Sequence, residues 1–403
     1  MKIAFISYEF PPETGYGGIG TYTYQISKAL SARGHHVEVF SSSPDKEVLN
    51  VEIENSVILH RVKADKRSIF SERIVDIFQK RNAIIGFDLI ESPEYCAEGL
   101  AVRKAFPSVP MVVKLHTPVF LVKKLNNFYT KQPLKKQVKK ILGQKTYNKQ
   151  NDRDYQLVKN ADAVCSPSFA LTEILKKEWN LNGVEIITNI LVPEETYFSI
   201  PISENDCTII TYIGRLDVRK GIKSLIEAIP VVLKKHPGVK FRFIGGDGDA
   251  PNNGGSMKEY ILSVLHKYAP NLEFIGYIHH NQIANYISDT GIFVIPSIWE
   301  NYPYTCLEAM SAGKAIIASK NGGMKEMLED VNGGLFIDPL RPKEIAKAIL
   351  SLIENPKIRA QMGTSNREKI QTWSHEIIKK IEGYYDKTIS NKNKPANNLI
   401  SSW

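Results

Sequence analysis

Short runs of apolar and β-branched residues alternate along this chain with longer segments whose apolar positions recur at helical spacing. Lys2–Ser7 reads as a strand, Gly20–Arg33 as a helix stopped by Gly34, and His36–Phe40 as the next strand. Asp88–Glu91, Met111–Leu115 and Ala163–Ser166 continue the strand series. Strands separated by helix-length segments predict a parallel sheet covered by helices. The alternation lapses over Leu191–Pro201, which reads as a linker, and then restarts. Its second set of strands is Cys207–Ile213, Lys240–Ile244, Leu272–Phe274, Gly291–Pro296, Ala315–Ser319 and Gly334–Asp338. Three helices are expected to follow, Pro342–Glu354, Pro356–Trp373 and His375–Tyr385, broken by Pro356 and by Ser374. The polar, aperiodic stretch 391–403 is expected to be a flexible tail, and no repeat of solenoid length is visible.

Two similar α/β halves joined by a linker place a cleft between their strand ends. A chain of 403 residues fits this division, being too long for one ordinary core. With 43% hydrophobic and 24% charged residues it can bury both cores. The start, Met1–Tyr8, is apolar over too few residues to read as a signal peptide, and no run reaches the roughly 18 apolar residues of a membrane span. Four scattered cysteines, Cys96, Cys165, Cys207 and Cys306, show no metal-ligand spacing and fit reduced, buried thiols in a cytoplasmic protein. The net charge of +9 is uneven: Lys123–Lys149 holds nine lysines and no acidic residue. That stretch reads as a solvated face, or else as a contact for an acidic membrane surface or a polyanionic acceptor. It matches no nucleic-acid recognition motif, and its aromatics Phe128, Tyr129 and Tyr147 are irregularly spaced, so nucleic acid is not expected.

The chemistry gathers where strands end. Glu300 and Glu308 lie eight positions apart, between the strand Gly291–Pro296 and the helix-like run Leu307–Gly313. Carboxylates there can accept from sugar hydroxyls, each missing bond costing about 1–3 kcal/mol at a buried site, although a solvated turn would also carry two glutamates. After Cys207–Ile213 come Gly214, Arg215 and Lys220, and Gly221 opens a helix. Two cations beside a helix N-terminus suit a diphosphate; the plainer alternative pairs them with Asp217. A second glycine-rich turn, Gly245-Gly246-Asp247-Gly248, suits close approach of backbone to a ligand or any tight turn. A third, Gly15, Gly17 and Gly20, has dinucleotide spacing, but no acidic residue ends the following strand, which disfavours NAD and leaves phosphate contact open. His116 closes the strand Met111–Leu115 and so faces the cleft, as a ligand contact or as a satisfied structural histidine.

Together, Gly214-Arg-Leu with Lys220-Gly, the Gly-Gly-Asp-Gly turn, the block Pro296–Gly313 and Asn321-Gly-Gly-Met-Lys-Glu326 resemble the GT-B glycosyltransferases of family GT4, over nearly the whole chain. The resemblance implies two Rossmann-like domains, at 1–195 and 206–373, facing a deep cleft. A helix at 375–390 would return to the first domain. It also implies retaining transfer of a hexosyl group from a nucleotide diphosphate sugar, UDP-glucose first and GDP-mannose next. The acceptor would be a saccharide or lipid-linked saccharide of polysaccharide synthesis. No metal or other cofactor is expected, because Arg215 and Lys220 match the cations that neutralise the leaving diphosphate. Localisation would be cytoplasmic, with Lys123–Lys149 as a peripheral contact at the inner membrane face.

Carried over by position, Glu300 meets the donor sugar and Glu308 the ribose. Asn301, Tyr302, Pro303, Tyr304 and Thr305, leading into Leu307, form the loop facing sugar and diphosphate. Gly17, Gly18 and Gly246 lie near the phosphates, His116 near the sugar's C6 side, and Tyr277 and Ile278 by the nucleobase. The common pattern after the first glutamate is Gly-aromatic-Gly, whereas this chain has Asn301-Tyr302-Pro303, and proline offers no N–H. A glycoside hydrolase, a non-catalytic nucleotide-sugar-binding partner and a UDP-sugar epimerase of the same fold stand as alternatives.

Overall fold

The structure, a computed structural model, describes residues 1–15, 17–53, 56–129, 147–192, 195–204, 207–251, 254–279 and 282–394. Most of the lysine-rich stretch and residues 395–403 of the expected tail lie outside them.

Every strand read from the sequence is present, arranged in two sheets. The first half contributes β1 (Lys2–Ile6), β2 (His36–Ser43), β3 (Val48–Ile53), β4 (Val57–Lys63), β5 (Leu89–Pro93), β6 (Met111–Lys114), β7 (Ala163–Ser166) and β8 (Glu185–Ile186). The second contributes β9 (Ile209–Ile213), β10 (Lys240–Ile244), β11 (Leu272–Gly276), β12 (Ile292–Ile295), β13 (Ala315–Ser319) and β14 (Gly334–Ile337). Central strands such as Ile292–Ile295 and Ala315–Ser319 are buried at every position, as expected of a sheet covered on both faces.

The second sheet runs β11-β10-β9-β12-β13-β14, all parallel. The first runs β3-β4-β2-β1-β5-β6-β7-β8 and differs by one antiparallel edge strand, β3. Both therefore reverse their winding beside their first strand, between β1 and β5 and between β9 and β12. Such a switch point opens a crevice at the strands' carboxyl ends, and ligands bind there.

β3, β4 and β8 were not expected from the pattern. Three further expectations are corrected. The helix after the first strand begins at Gly18 rather than Gly20, capped by Gly17. The linker contains one short helical turn, Glu195–Phe198. The closing segments form a single helix, Pro356–Asn393, that neither breaks at Ser374 nor begins at 375. Ser374 stays helical because its hydroxyl reaches the Ile370 carbonyl at 3.1 Å and the Leu191 carbonyl at 2.8 Å. The same helix takes in residues 391–393 of the expected tail. Of the cysteines, Cys96 is only half-buried, while Cys165, Cys207 and Cys306 are buried and all four are unbridged.

That helix ties the halves together. Near its start, Asn366 donates to the carbonyls of Lys314 and Gly333 at 2.9 and 2.8 Å. Near its end, Glu382 pairs with Arg33 and His35, and the Tyr385 hydroxyl donates to Glu91 beneath the first sheet. One hydrophobic cluster accordingly continues from Ile3 and Phe5 through Leu191 and Tyr197 to Leu307, Ile370 and Ile381.

Candidate active site

The turn after β9 delivers cations to the turn after β12. A 3-10 turn, Val218–Lys220, is capped by Asp217, which accepts from the Arg219 amide at 2.9 Å, and Gly221 then opens the helix Ile222–Lys235. Lys220 Nζ lies 2.5 Å from Glu300 Oε1, and Arg219 Nη1 lies 3.9 Å from the same oxygen. The Glu300 side chain is only 13% exposed. Burial alone would push its pKa up; Lys220 and Arg219 outweigh that and hold it below the usual carboxylate range. Arg215 instead turns to Asp217, 2.5 Å away, and is 65% exposed. Arg215 was expected, with Lys220, as a cation for a diphosphate, or else as a partner of Asp217; in the free protein it pairs with Asp217, and the second cation near Glu300 is Arg219. Spacing along the chain carried no signal that Arg219 faces Glu300.

The loop between Glu300 and Glu308 is held from below. Tyr302, Tyr304 and Leu307 are core residues, and Tyr302 stacks on Trp373 with ring centres 6.0 Å apart. Burial pushes both tyrosine hydroxyls well up, so they stay protonated. The side chains of these residues face the core, and the Tyr302 carbonyl accepts from Asn189 at 3.0 Å, while Pro303 and Thr305 are half-buried. Glu308 is buried in the helix Tyr304–Ser311. The turn Gly322-Gly323 presses against the loop from the other side: the Gly323 amide donates to the Glu300 carbonyl at 2.9 Å. A Cβ on Gly322 would lie 1.9 Å from that carbonyl oxygen, and one on Gly323 1.9 Å from the Asn301 carbonyl oxygen.

The other glycine turns play different parts. Gly246 accepts from the Leu216 amide at 2.9 Å, while Cβ atoms on Gly245 and Gly248 would meet the carbonyls of Gly214 and Leu216 at 2.2 and 2.1 Å. These glycines let the turns after β9 and β10 lie on each other. Tyr277 is 54% exposed just past β11, with Ile278 half-buried beside it.

In the first half, Gly17 and Gly18 are exposed at their helix N-terminus. Glu9, which sequence reasoning missed, accepts from the Gly20 amide there at 3.2 Å and pairs with Arg67. His116 follows β6; its amide donates to Glu94 at 2.7 Å, and its ring meets Tyr22 edge-on at 5.3 Å. Burial, with Lys114 and Arg67 nearby, pushes its pKa down to about 3, so the imidazole is neutral.

The two halves meet at these strand ends. Asn301 donates through its side-chain amide to the His116 carbonyl, and Ser168 Oγ donates to Asn301 Oδ1 at 2.6 Å. Glu326 accepts from the amides of Phe169 and Ala170, each at 2.8 Å, at the start of the helix Phe169–Trp179. The structure thus gathers Glu300, Asn301, Lys220 and His116, with Arg219 and Glu326 added. Among the described residues no group of three or more His, Cys, Asp or Glu side chains could hold a metal ion, and no helix is long and apolar enough to cross a membrane.

Comparison with known proteins agrees with this fold. The sequence model of Glycosyl transferases group 1 matches residues 194–369, and that of Glycosyltransferase Family 4 matches residues 16–195. An uncharacterized glycosyltransferase of Methanocaldococcus jannaschii is 26% identical over 363 residues, 86% of this chain and 87% of that protein. The glycogen synthase of Mycobacterium tuberculosis is 21% identical over 401 residues, 92% of this chain and 90% of that one. Among solved structures, sucrose-phosphate synthase from Thermosynechococcus elongatus superposes with a TM-score of 0.73 at 21% identity, covering 97% of this chain and 100% of its own. Anabaena HepE in complex with UDP superposes at 0.67 and 17% identity, covering 96% and 100%. With the two family models spanning both halves and the fold shared end to end, the chain belongs to the GT-B group 1 glycosyltransferases of family 4.

Proposed function

We propose that this glycosyltransferase moves a hexosyl group from a nucleotide diphosphate sugar, UDP-glucose first, to a saccharide or lipid-linked saccharide acceptor, with retention at the anomeric carbon. The observation that carries the reading is the Lys220 ammonium 2.5 Å from Glu300, with Arg219 behind it, at the β9/β12 switch point. Fixed cations there meet the charge that develops on a departing diphosphate and need no reorganisation as it forms. In this reading the bond from the anomeric carbon to the phosphate oxygen breaks and the diphosphate keeps the electron pair. The acceptor oxygen bonds to the same face, and its proton passes to the leaving phosphate. Glu300 accepts from donor-sugar hydroxyls and Glu308 from the ribose. Neutral His116 offers an uncharged imidazole on the sugar side. Lys220, Arg219 and the more exposed Arg215 supply positive charge, so the proposal assigns no part to a metal. Two of the related solved structures are described as HepE in complex with UDP and with UDP-glucose, which supports a uridine nucleotide as the first choice.

A thermal-shift screen of UDP, GDP and ADP tests the donor. The expected result is stabilisation by UDP alone among the three, since a ligand at 100 times its Kd adds about 2.7 kcal/mol. A larger shift with GDP would move the assignment to a guanosine nucleotide, and no shift with any of them would remove the donor reading.

A further inference from the structure

Asn301 stands where the family pattern has glycine, directly after the carboxylate of the proposed donor site, and its side chain reaches across to the first half. It is 8% exposed and both ends of its amide are used. Oδ1 accepts from Ser168 Oγ at 2.6 Å, and Nδ2 donates to the carbonyl of His116. The orientation of the amide follows from its partners. A backbone carbonyl can only accept, so Nδ2 must face His116. Ser168 Oγ already accepts from the Leu171 amide at 3.1 Å as cap of its helix, which leaves its own proton for Oδ1.

Both partners lie in the first half, after β6 and β7, whereas Asn301 follows β12. A glycine at 301 could make neither bond. The His116 backbone is held from its other side as well, since its amide donates to the buried carboxyl of Glu94 at 2.7 Å. A continuous path therefore runs from Glu94 through the His116 main chain to the Asn301 amide and into the backbone of Glu300. Two flanking contacts share its direction: Glu326 on the amides of Phe169 and Ala170, and Asn189 donating to the Tyr302 carbonyl at 3.0 Å.

We propose that Asn301 is a positioning residue, whose side-chain amide fixes His116 of the first half and Glu300 of the second in one register across the cleft. It acts through those two residues and touches no reacting atom. This deepens the glycosyl-transfer reading and rests on it. Displacement of a catalytic group by about 1 Å can cost on the order of 10²-fold in rate, so a bond that sets this register should act on turnover more than on binding.

The test uses Asn301→Asp, which turns an oxygen against the His116 carbonyl, and Asn301→Gly, which restores the family residue. Transfer from UDP-glucose is measured together with calorimetric affinity for UDP. The expected result is a kcat lower by about tenfold or more in both variants, with the Kd for UDP within about threefold of the parent. In a His116→Ala background, which keeps the backbone carbonyl and loses the imidazole, the same substitutions should cost less than in the parent, because only Glu300 is then left to position. Unchanged kcat, a loss confined to Kd, or full additivity with His116→Ala would each overturn the proposal. Should Asn301→Asp fail to fold, Asn301→Gly carries the comparison. Absence of any turnover of nucleotide sugars by the parent chain would sink the transferase reading alone. The latch is then judged by hydrogen exchange, where Asn301→Gly should speed exchange across 168–171 and 322–324; unchanged exchange there overturns it.

Discussion

Lys220 neutralises a largely shielded carboxylate in the free protein and faces the leaving diphosphate in the proposed reaction. Removing its ammonium takes away the nearer of the two cations beside Glu300, leaving Arg219 at 3.9 Å. The balance described above then tilts toward burial, and the Glu300 pKa rises. A carboxylate held low in the folded state adds stability above the ordinary carboxylate range and loses it as pH falls through its lowered pKa, so the variant gives up some of that increment. Lys220→Ala is expected to lower transfer by about 10²-fold, as loss of a leaving-group cation should. It should also move the acid limb of the kcat/KM profile to higher pH. An acid limb in its original position would show that Lys220 does not govern Glu300. At this scale the sequence named Glu300 and Lys220 because both belong to a dense motif at fixed spacing. It was silent on Arg219, Glu9 and Ser168, whose parts depend on which way a turn or a neighbouring strand end faces, and it left the side chain of Asn301 without a partner.

At the scale of elements, strands were legible where burial on both faces makes them continuous apolar runs, as in Ile292–Ile295 and Ala315–Ser319. β4 was not, because its run Val57–Lys63 contains His60 and Arg61. Both are buried by partners remote in sequence: Glu38 for His60, and the carbonyls of Ser42 and Phe10 for Arg61. β3, an edge strand that exposes Leu49 and Val51, had no clean alternation to find. The turn Asn321–Gly323 shows the opposite case, a motif visible in sequence whose reason is steric. Gly322 has φ +85°, and its missing side chain leaves room for the Glu300 carbonyl. Gly322→Ala is expected to cost about 1–3 kcal/mol in urea unfolding, from left-handed strain together with displacement of backbone. It should also reduce transfer more than Gly238→Ala, a site where an added Cβ meets nothing within 4 Å. Equal stability and activity of these two variants would show that the Gly322–Glu300 contact is dispensable.

At the scale of the whole molecule, the first half buries two acids whose pKa the fold raises, Glu94 just past β5 and Asp154 at the start of the helix Arg153–Asn160. Burial pushes Glu94 up to about 8, with nearby Asp154 adding to the effect, and burial pushes Asp154 up to about 7. A carboxyl whose folded pKa exceeds its unfolded value of about 4 binds more protons in the native state, so its effect on stability runs opposite to that of Glu300. Stability should therefore fall as pH rises from about 5 toward 8, and the fall should centre on the first half. Glu94→Gln keeps an acceptor for the His116 amide and removes the titration. It is expected to leave the melting temperature near that of the parent at pH 5, raise it above the parent at pH 8, and flatten the slope between them. Melting curves of both proteins across that range decide the matter. Parallel curves would mean that Glu94 does not change charge there, and that the His116 backbone rests on a carboxylate already ionised at neutral pH.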